Sequence, residues 1–315
     1  AEESMVIVQI PKTVRRVIWL PSKNDQRYFT LVDDILEKFV TKLFPGYKVT
    51  DSLIFKATCD ADFSVEEDKG DFIQAMENVL VKRDFAKPVR LVCNSSSPKI
   101  QEMLTEKLQL NPEDVYTVDG IVDISTLIDL REIEGFSELK FSSWKKSLVK
   151  GFVLGQPFWD KIKQGDILLH VPYQSYEPVL QFINDAADDP DVLAIKMTLY
   201  RTSNHSAITA ALERAARNGK QVTVFVELKA RFDEKQNISW ADRLERAGAI
   251  VVYGIVNLKV HGKLMLVVRR EQTGVKRYVH FSTGNYNEKT ANLYSDISVF
   301  TGNYEIATDA SLFFN

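Results

Sequence analysis

Between Val192 and Gly254 short apolar, β-branched runs alternate with helical segments that each stop at a glycine, and this rhythm restricts the fold more than any other feature. Val192–Tyr200, Val222–Leu228 and Ile250–Gly254 are predicted strands, because Val, Ile, Thr and aromatic side chains suit a buried pleated surface. Ala207–Asn218 and about Ile238–Ala247 are predicted helices, with Gly219 and Gly248 placed to end them through a left-handed residue. A strand at Asp166–His170 and a helix at Glu177–Ala187 extend the pattern upstream. Strands and helices in that order require a mostly parallel or mixed sheet flanked by helices. The expected fold class is α/β.

The run contains a weak repeat. Leu212-Glu-Arg-Ala215 and Leu244-Glu-Arg-Ala247 each close a helix just before a glycine and a strand. Near the ends of successive strands come Arg201, Arg231 and His261, spaced 30 residues apart. Equivalent βα units would carry all three to one edge of the sheet, and ligands bind at the carboxyl ends of strands in open α/β sheets.

Those residue types suit phosphate chemistry. Two guanidinium forks match phosphate oxygens in pairs, and a histidine beside them can act as base, acid or nucleophile. If His261–Val268 is a strand, Lys259 and Lys263 share the face of His261. Their charge would keep the imidazole neutral, with a lone pair to attack a clamped phosphate. A surface histidine followed by a lysine is the plain alternative. Downstream, Ser282-Thr-Gly-Asn285 follows a predicted strand at Arg277–Phe281 and offers hydroxyls, an amide and a close backbone approach at Gly284. Asn285 is a candidate phosphate or histidine-orienting contact, and Tyr294 could stack on a base.

Charge agrees with an anion site once it is mapped along the chain. From Lys196 to Lys289 there are 17 Lys and Arg against 8 Asp and Glu, although the whole chain carries −3. Such a basic segment reads as a local anion site or as solvated helix faces. Cys59 and Cys93 have no metal-ligand or redox spacing, and with four histidines and no Cys/His cluster a zinc site is not expected. A reduced, cytoplasmic protein is the plain reading.

The first half reads as a mixed α/β unit ending near residue 147. Strands are predicted at Val6–Ile10, Val14–Leu20, Ser52–Thr58 and Val89–Cys93. A helix is predicted over Phe29–Phe44, another in the acidic stretch up to about Lys82, and a third opening at Ser97-Pro98 and running through Leu108. No chemistry stands out there.

Three long strings then resemble the polyphosphate kinase family, which makes polyphosphate from ATP. They are Val192-Leu-Ala-Ile-Lys-Met-Thr-Leu-Tyr-Arg-Thr-Ser203, Glu227-Leu-Lys-Ala-Arg-Phe-Asp-Glu234 and Arg277-Tyr-Val-His-Phe-Ser-Thr-Gly-Asn-Tyr-Asn287. The resemblance implies that His261 becomes phosphorylated, that Arg201 and Arg231 lie near the phosphates and magnesium, and that Tyr294 lies at the nucleotide site; Lys263, from its spacing to His261, is the second candidate catalytic residue. Arginine has no lone pair for a cation, so both arginines read as phosphate clamps beside Mg2+ and ATP or ADP.

The resemblance also implies a head domain over 1–146, associated with dimer contacts, and a first carboxyl-terminal catalytic domain of phospholipase D-like fold over 147–315. By the same resemblance, an amino-terminal domain and a second carboxyl-terminal domain, which holds a second essential histidine, are expected to lie outside these 315 residues. The partners implied are ATP, ADP and inorganic polyphosphate in a homo-oligomer, dimer or tetramer, with no nucleic acid. The location implied is the cytoplasm, with peripheral membrane association left open. Phospholipase D-like enzymes carry His-x-Lys-x4-Asp, and Val268 occupies the Asp position here. That departure counts against the alternative of a phosphodiesterase; a non-catalytic polyanion-binding or dimerising module is a third reading.

Overall fold

The computed structural model describes residues 3–11, 13–24, 26–60, 72–84, 86–142, 144–200, 206–227, 234–254 and 259–315. The chain separates into two units, Ala1–Phe63 with Lys82–Ser142 and Ser64–Val81 with Ser143–Asn315.

In the first unit β1 (Val17–Lys23) and β2 (Gln26–Leu31) form an antiparallel hairpin, and α1 (Val32–Lys38) and α2 (Val40–Leu43) follow. The expectation of one helix over Phe29–Phe44 is corrected here, because its first residues belong to β2. Phe29 pairs with Trp19 across the hairpin, their rings edge to face at 5.7 Å. Such cross-strand pairing outweighs a local helical stripe. The strand expected at Val6–Ile10 is not formed. Val6, Ile7 and Val8 are exposed, and among the described residues no strand pairs with them.

Next in the chain come β3 (Phe55–Cys59), α3 (Phe72–Asp84), most of which groups with the second unit, and then β4 (Pro88–Asn94), α4 (Pro98–Lys107) and β5 (Val115–Val118) of the first. β4 is central, antiparallel to β3 and parallel to β5. Ser97 caps α4 by accepting the Ile100 N–H, with Pro98 in the first turn, as the Ser-Pro pair predicts.

The second unit is built on a seven-stranded mixed sheet. In chain order its elements are α5 (Trp159–Gln164), β6 (Ile167–Val171), α6 (Glu177–Asp188), β7 (Val192–Leu199), α7 (Ala207–Arg217), β8 (Gln221–Val226), α8 (Glu234–Arg246), β9 (Ile250–Tyr253), β10 (Lys263–Glu271), β11 (Gly274–Ser282), β12 (Asp296–Thr301) and α9 (Tyr304–Phe313). The spatial order is β6-β12-β11-β10-β7-β8-β9. β7, β8 and β9 run parallel and the other neighbours pair antiparallel.

Periodicity decides what each face buries. Ile208, Ala211, Leu212 and Ala215 form one buried stripe of α7 at helical spacing, as an amphipathic helix on a sheet requires. They join Val179, Phe182 and Ile183 of α6, Trp240 and Leu244 of α8 and Met265 and Val267 of β10 in the main core. The intervening Leu266 joins a smaller cluster on the opposite face with Val279, Ala307, Ala310 and Phe314. Val268 packs against that cluster, so the position of the missing carboxylate belongs to an apolar face. Gly219 and Gly248 have φ of +79° and +98°, the left-handed residues that let α7 and α8 turn into β8 and β9.

Candidate functional site

Strand directions collect the chemistry at one edge. The carboxyl ends of β7, β8 and β9 lie together because the three strands are parallel. β10 is antiparallel to β7, with Met265 opposite Met197, so the start of β10 returns to the same edge. Antiparallel pairing of β10 with β11 and of β11 with β12 adds the end of β11 and the start of β12. His261, Tyr200, the Ser282–Asn285 turn, Tyr294 and Asp296 therefore share this edge.

His261 stands two residues before β10, outside the strand, which corrects the expected His261–Val268 strand. It also follows the end of β9 at Tyr253 by several residues, so it does not finish a strand as the spacing argument supposed. The short stretch that carries it is held on both sides. The Val260 N–H donates to Glu227 Oε2 at 2.8 Å. Thr198 Oγ1 donates to the Gly262 carbonyl at 2.7 Å and accepts the Leu264 N–H at 3.0 Å. The Tyr200 ring meets the imidazole edge to face, centroids 5.3 Å apart.

Lys263 does not present its ammonium on a strand face shared with His261. It is buried, and its Nζ donates to the His261 carbonyl at 2.6 Å. Burial lowers its pKa, with Asp296 pulling the other way. Nζ also lies 5.3 Å from the Tyr200 ring centroid, and Lys259 Nζ lies 5.5 Å from it, within cation–π range. The His261 pKa lies below its ordinary value. Although the residue keeps solvent access, withdrawal of the ring from water is the larger cause, and the charges of Lys263 and then Lys259 add to it. Neutral imidazole is thus favoured at neutral pH.

The turn after β11 is pinned to β12. Thr283 Oγ1 donates to Asp296 Oδ1 at 2.7 Å and accepts the Ile297 N–H at 3.1 Å, while Ser282 Oγ accepts the Gly284 N–H at 3.0 Å. A Cβ on Gly284 would lie 2.5 Å from Asp296 Oδ2, so only glycine permits this approach. Asn285 Oδ1 is buried with no hydrogen-bond partner among the described residues. As oriented it is an acceptor, suited to an imidazole N–H or a hydroxyl; an anion would require the amide to present Nδ2 instead. Tyr294 is exposed, two residues before β12.

Arg201 and Arg231 lie outside the described residues, and so does His205. The residues from which the two arginine segments depart are described: Tyr200 directly after β7 and Glu227 directly after β8. Among the described residues no group of three His, Cys, Asp or Glu side chains is arranged to hold a metal ion. A magnesium ion at this edge would rest mainly on phosphate oxygens and water, as Mg2+ commonly does. No helix of the described residues is long and apolar enough to cross a membrane.

Thr198, Tyr200, Glu227, Asn237 and Asp296 also frame this edge and carry no chemical motif in the sequence. Thr198 in β7 and Tyr200 directly after it share alternation parity, a signal present in the sequence. Asp296 reaches the turn only through pairing of β11 with β12, for which no local signal exists.

The class defined by this fold and edge is an α/β protein with a neutral, lysine-flanked histidine at an anion-suited sheet edge. Residues 157–315 match the polyphosphate kinase C-terminal domain 1, and residues 1–130 match the polyphosphate kinase middle domain. The polyphosphate kinases of Bacillus anthracis and Halalkalibacterium halodurans are each 42% identical, over 98% and 100% of this chain. The crystal structure of polyphosphate kinase from Porphyromonas gingivalis superposes with a TM-score of 0.73 at 30% identity, over 96% of this chain and 43% of that one. The chain belongs to the polyphosphate kinase family. It spans 45% of the length of the two bacterial relatives.

Proposed function

We propose that this chain is the histidine-bearing part of an ATP:polyphosphate phosphotransferase working through phosphohistidine at His261. The observation that carries the reading is His261 at the carboxyl edge of the sheet, its carbonyl bonded by Lys263 Nζ and its pKa lowered by burial and by Lys263 and Lys259, in a member of this family. The His261 lone pair attacks the γ-phosphorus of ATP, forming an N–P bond while the bond to the β-phosphate oxygen breaks and ADP leaves. The terminal oxygen of a polyphosphate chain then attacks the same phosphorus, the N–P bond breaks, and the imidazole is regenerated. Reversal makes ATP.

Arg201 and Arg231 would clamp phosphate oxygens, and Mg2+ bound to the nucleotide would neutralise phosphate charge. Tyr294 offers its exposed ring to the base. Lys263 acts mainly through the backbone of His261 and its charge. The phospholipase D-like description of the second unit, the head-domain homodimer and the cytoplasmic setting belong to the same proposal.

The test is incubation of the natural full-length protein with magnesium and γ-labelled ATP. An acid-labile, base-stable phosphoprotein that is lost in His261→Ala is expected. Label that persists in His261→Ala would overturn the assignment.

A further inference from the structure

Beneath the site edge lies a buried polar pair that phosphotransfer chemistry does not itself use. Glu227 and Asn237 are both fully buried. Asn237, in the first turns of α8, donates from Nδ2 to the Tyr200 carbonyl and to the Glu227 carbonyl, each at 3.2 Å. Its Oδ1 accepts the Trp240 indole N–H at 3.2 Å. An indole N–H can only donate, so this contact fixes the amide with oxygen toward Trp240 and both N–H bonds toward the two carbonyls. Those carbonyls stand just past the ends of β7 and β8, joined below by the Glu227 N–H to the Leu199 carbonyl at 3.0 Å. The Glu227 carboxylate in turn accepts the Val260 N–H at 2.8 Å.

The three points joined this way, Tyr200, Glu227 and Val260, lie beside the candidate chemistry in the chain. Tyr200 precedes Arg201, Glu227 opens the segment of Arg231, and Val260 precedes His261. A carboxylate with no solvent exposure is costly, and an apolar residue of similar volume would serve the core at least as well. What a carboxylate adds is a strong, directional hydrogen bond to a backbone N–H.

We infer that Glu227 and Asn237 form a positioning clasp that sets the Val260–His261 stretch in register with the ends of β7 and β8. This inference rests on the phosphotransfer reading for its purpose, while the clasp itself is a matter of geometry. The bonds that make the clasp run to backbone groups of Tyr200, Glu227 and Val260, so it acts by positioning. Displacement of a reacting group by about 1 Å costs about 100-fold in rate, which sets the scale of effect.

The experiment uses the natural full-length protein with histidines labelled at 13Cε1, as wild type, Glu227→Ala, Glu227→Gln and Asn237→Ala. Two quantities are read: the imidazole resonances and the rate of His261 phosphorylation from γ-labelled ATP. Buried His280, in the main sheet away from the clasp contacts, reports on general packing. Glu227→Ala and Asn237→Ala should move the His261 resonance, leave His280 in place and slow phosphorylation by about 100-fold. Glu227→Gln keeps an acceptor oxygen for the Val260 N–H and should stay within about ten-fold of wild type.

An unmoved His261 resonance in both alanine variants overturns the inference. Joint movement of His261 and His280, or a glutamine variant as slow as the alanine one, overturns it as well. A wild type that takes no label while its His261 resonance responds to Glu227→Ala sinks the phosphotransfer reading and supports the clasp.

Discussion

The Lys263 ammonium donates to the carbonyl oxygen of His261 at 2.6 Å, so the lysine two residues away braces the backbone that presents the imidazole. It also depresses the His261 pKa, after the larger effect of burial. Lys263→Met removes the brace and the charge together. The His261 pKa should rise toward its ordinary value, because a positive neighbour that opposed the imidazolium is gone. Attack needs the neutral ring, so the acid limb of the phosphorylation rate should move to higher pH. A rate-against-pH profile of the variant decides this; a limb that stays put or moves down would show that the Lys263 charge does not tune His261.

Gly284 sits against Asp296 with no room for a side chain. In Gly284→Ala the new Cβ would stand 2.5 Å from Oδ2 and 2.6 Å from Cγ of Asp296. The carboxylate must shift and loosen its bond with Thr283. Overpacking of this kind costs about 1–3 kcal/mol. Urea unfolding should give a lower midpoint with unchanged slope, and phosphohistidine formation should slow. A variant as stable and as reactive as wild type would mean that the turn adapts freely.

Tyr294 offers an exposed ring at the site edge. If it stacks on adenine, Tyr294→Ala should weaken nucleotide binding by about ten-fold and Tyr294→Phe should not, since aromatic stacking on a base is worth about 1–3 kcal/mol. Titration with a fluorescent ATP analogue measures both. Equal affinity in the alanine variant removes Tyr294 from the nucleotide site.

Stability should fall on the acid side for two separable reasons. Burial raises the Glu271 pKa, but hydrogen bonds from Lys163, Tyr278 and Arg269 outweigh it and hold the carboxyl at about 2, against an ordinary 4.5. Its stabilising contribution is complete above pH 4.5 and is lost as pH falls through about 2, a difference on the order of 3 kcal/mol. Burial holds His280 at about 3, against an ordinary 6.5. The unfolded chain binds that proton below 6.5 while the folded chain refuses it down to about 3, so stability declines across that window.

Asp185 works in the opposite sense. Burial raises it to about 6 from 3.8, so the fold loses stability as pH climbs between those values. Urea midpoints measured from pH 3 to 8 should show Glu271→Gln flattening the decline below 4.5 and Asp185→Asn removing the loss between 3.8 and 6. Profiles unchanged by either substitution would contradict these assignments.

Much of the second unit was legible because its elements are decided locally. The stripe of Ile208, Ala211, Leu212 and Ala215 and the stops at Gly219 and Gly248 mark α7, α8 and the parallel strands without reference to anything distant. In the first unit the signals conflicted. Phe29 opens the helix predicted over Phe29–Phe44, and only pairing with Trp19 makes it part of a strand. At Val6–Ile10 the alternation was present but a strand partner was not.

The sequence by itself determined the residue types, the 30-residue spacing and the family to which the chain belongs, since all of these are written in linear order. Tertiary structure alone decided that His261 sits outside β10, that Lys263 turns its ammonium to the His261 backbone, and that Glu227, Asn237 and Asp296 belong to the site. The reason is physical. Hydrogen bonds joining Val260 to Glu227 or Thr283 to Asp296 depend on strand register and on burial, and neither exists until the sheet has closed.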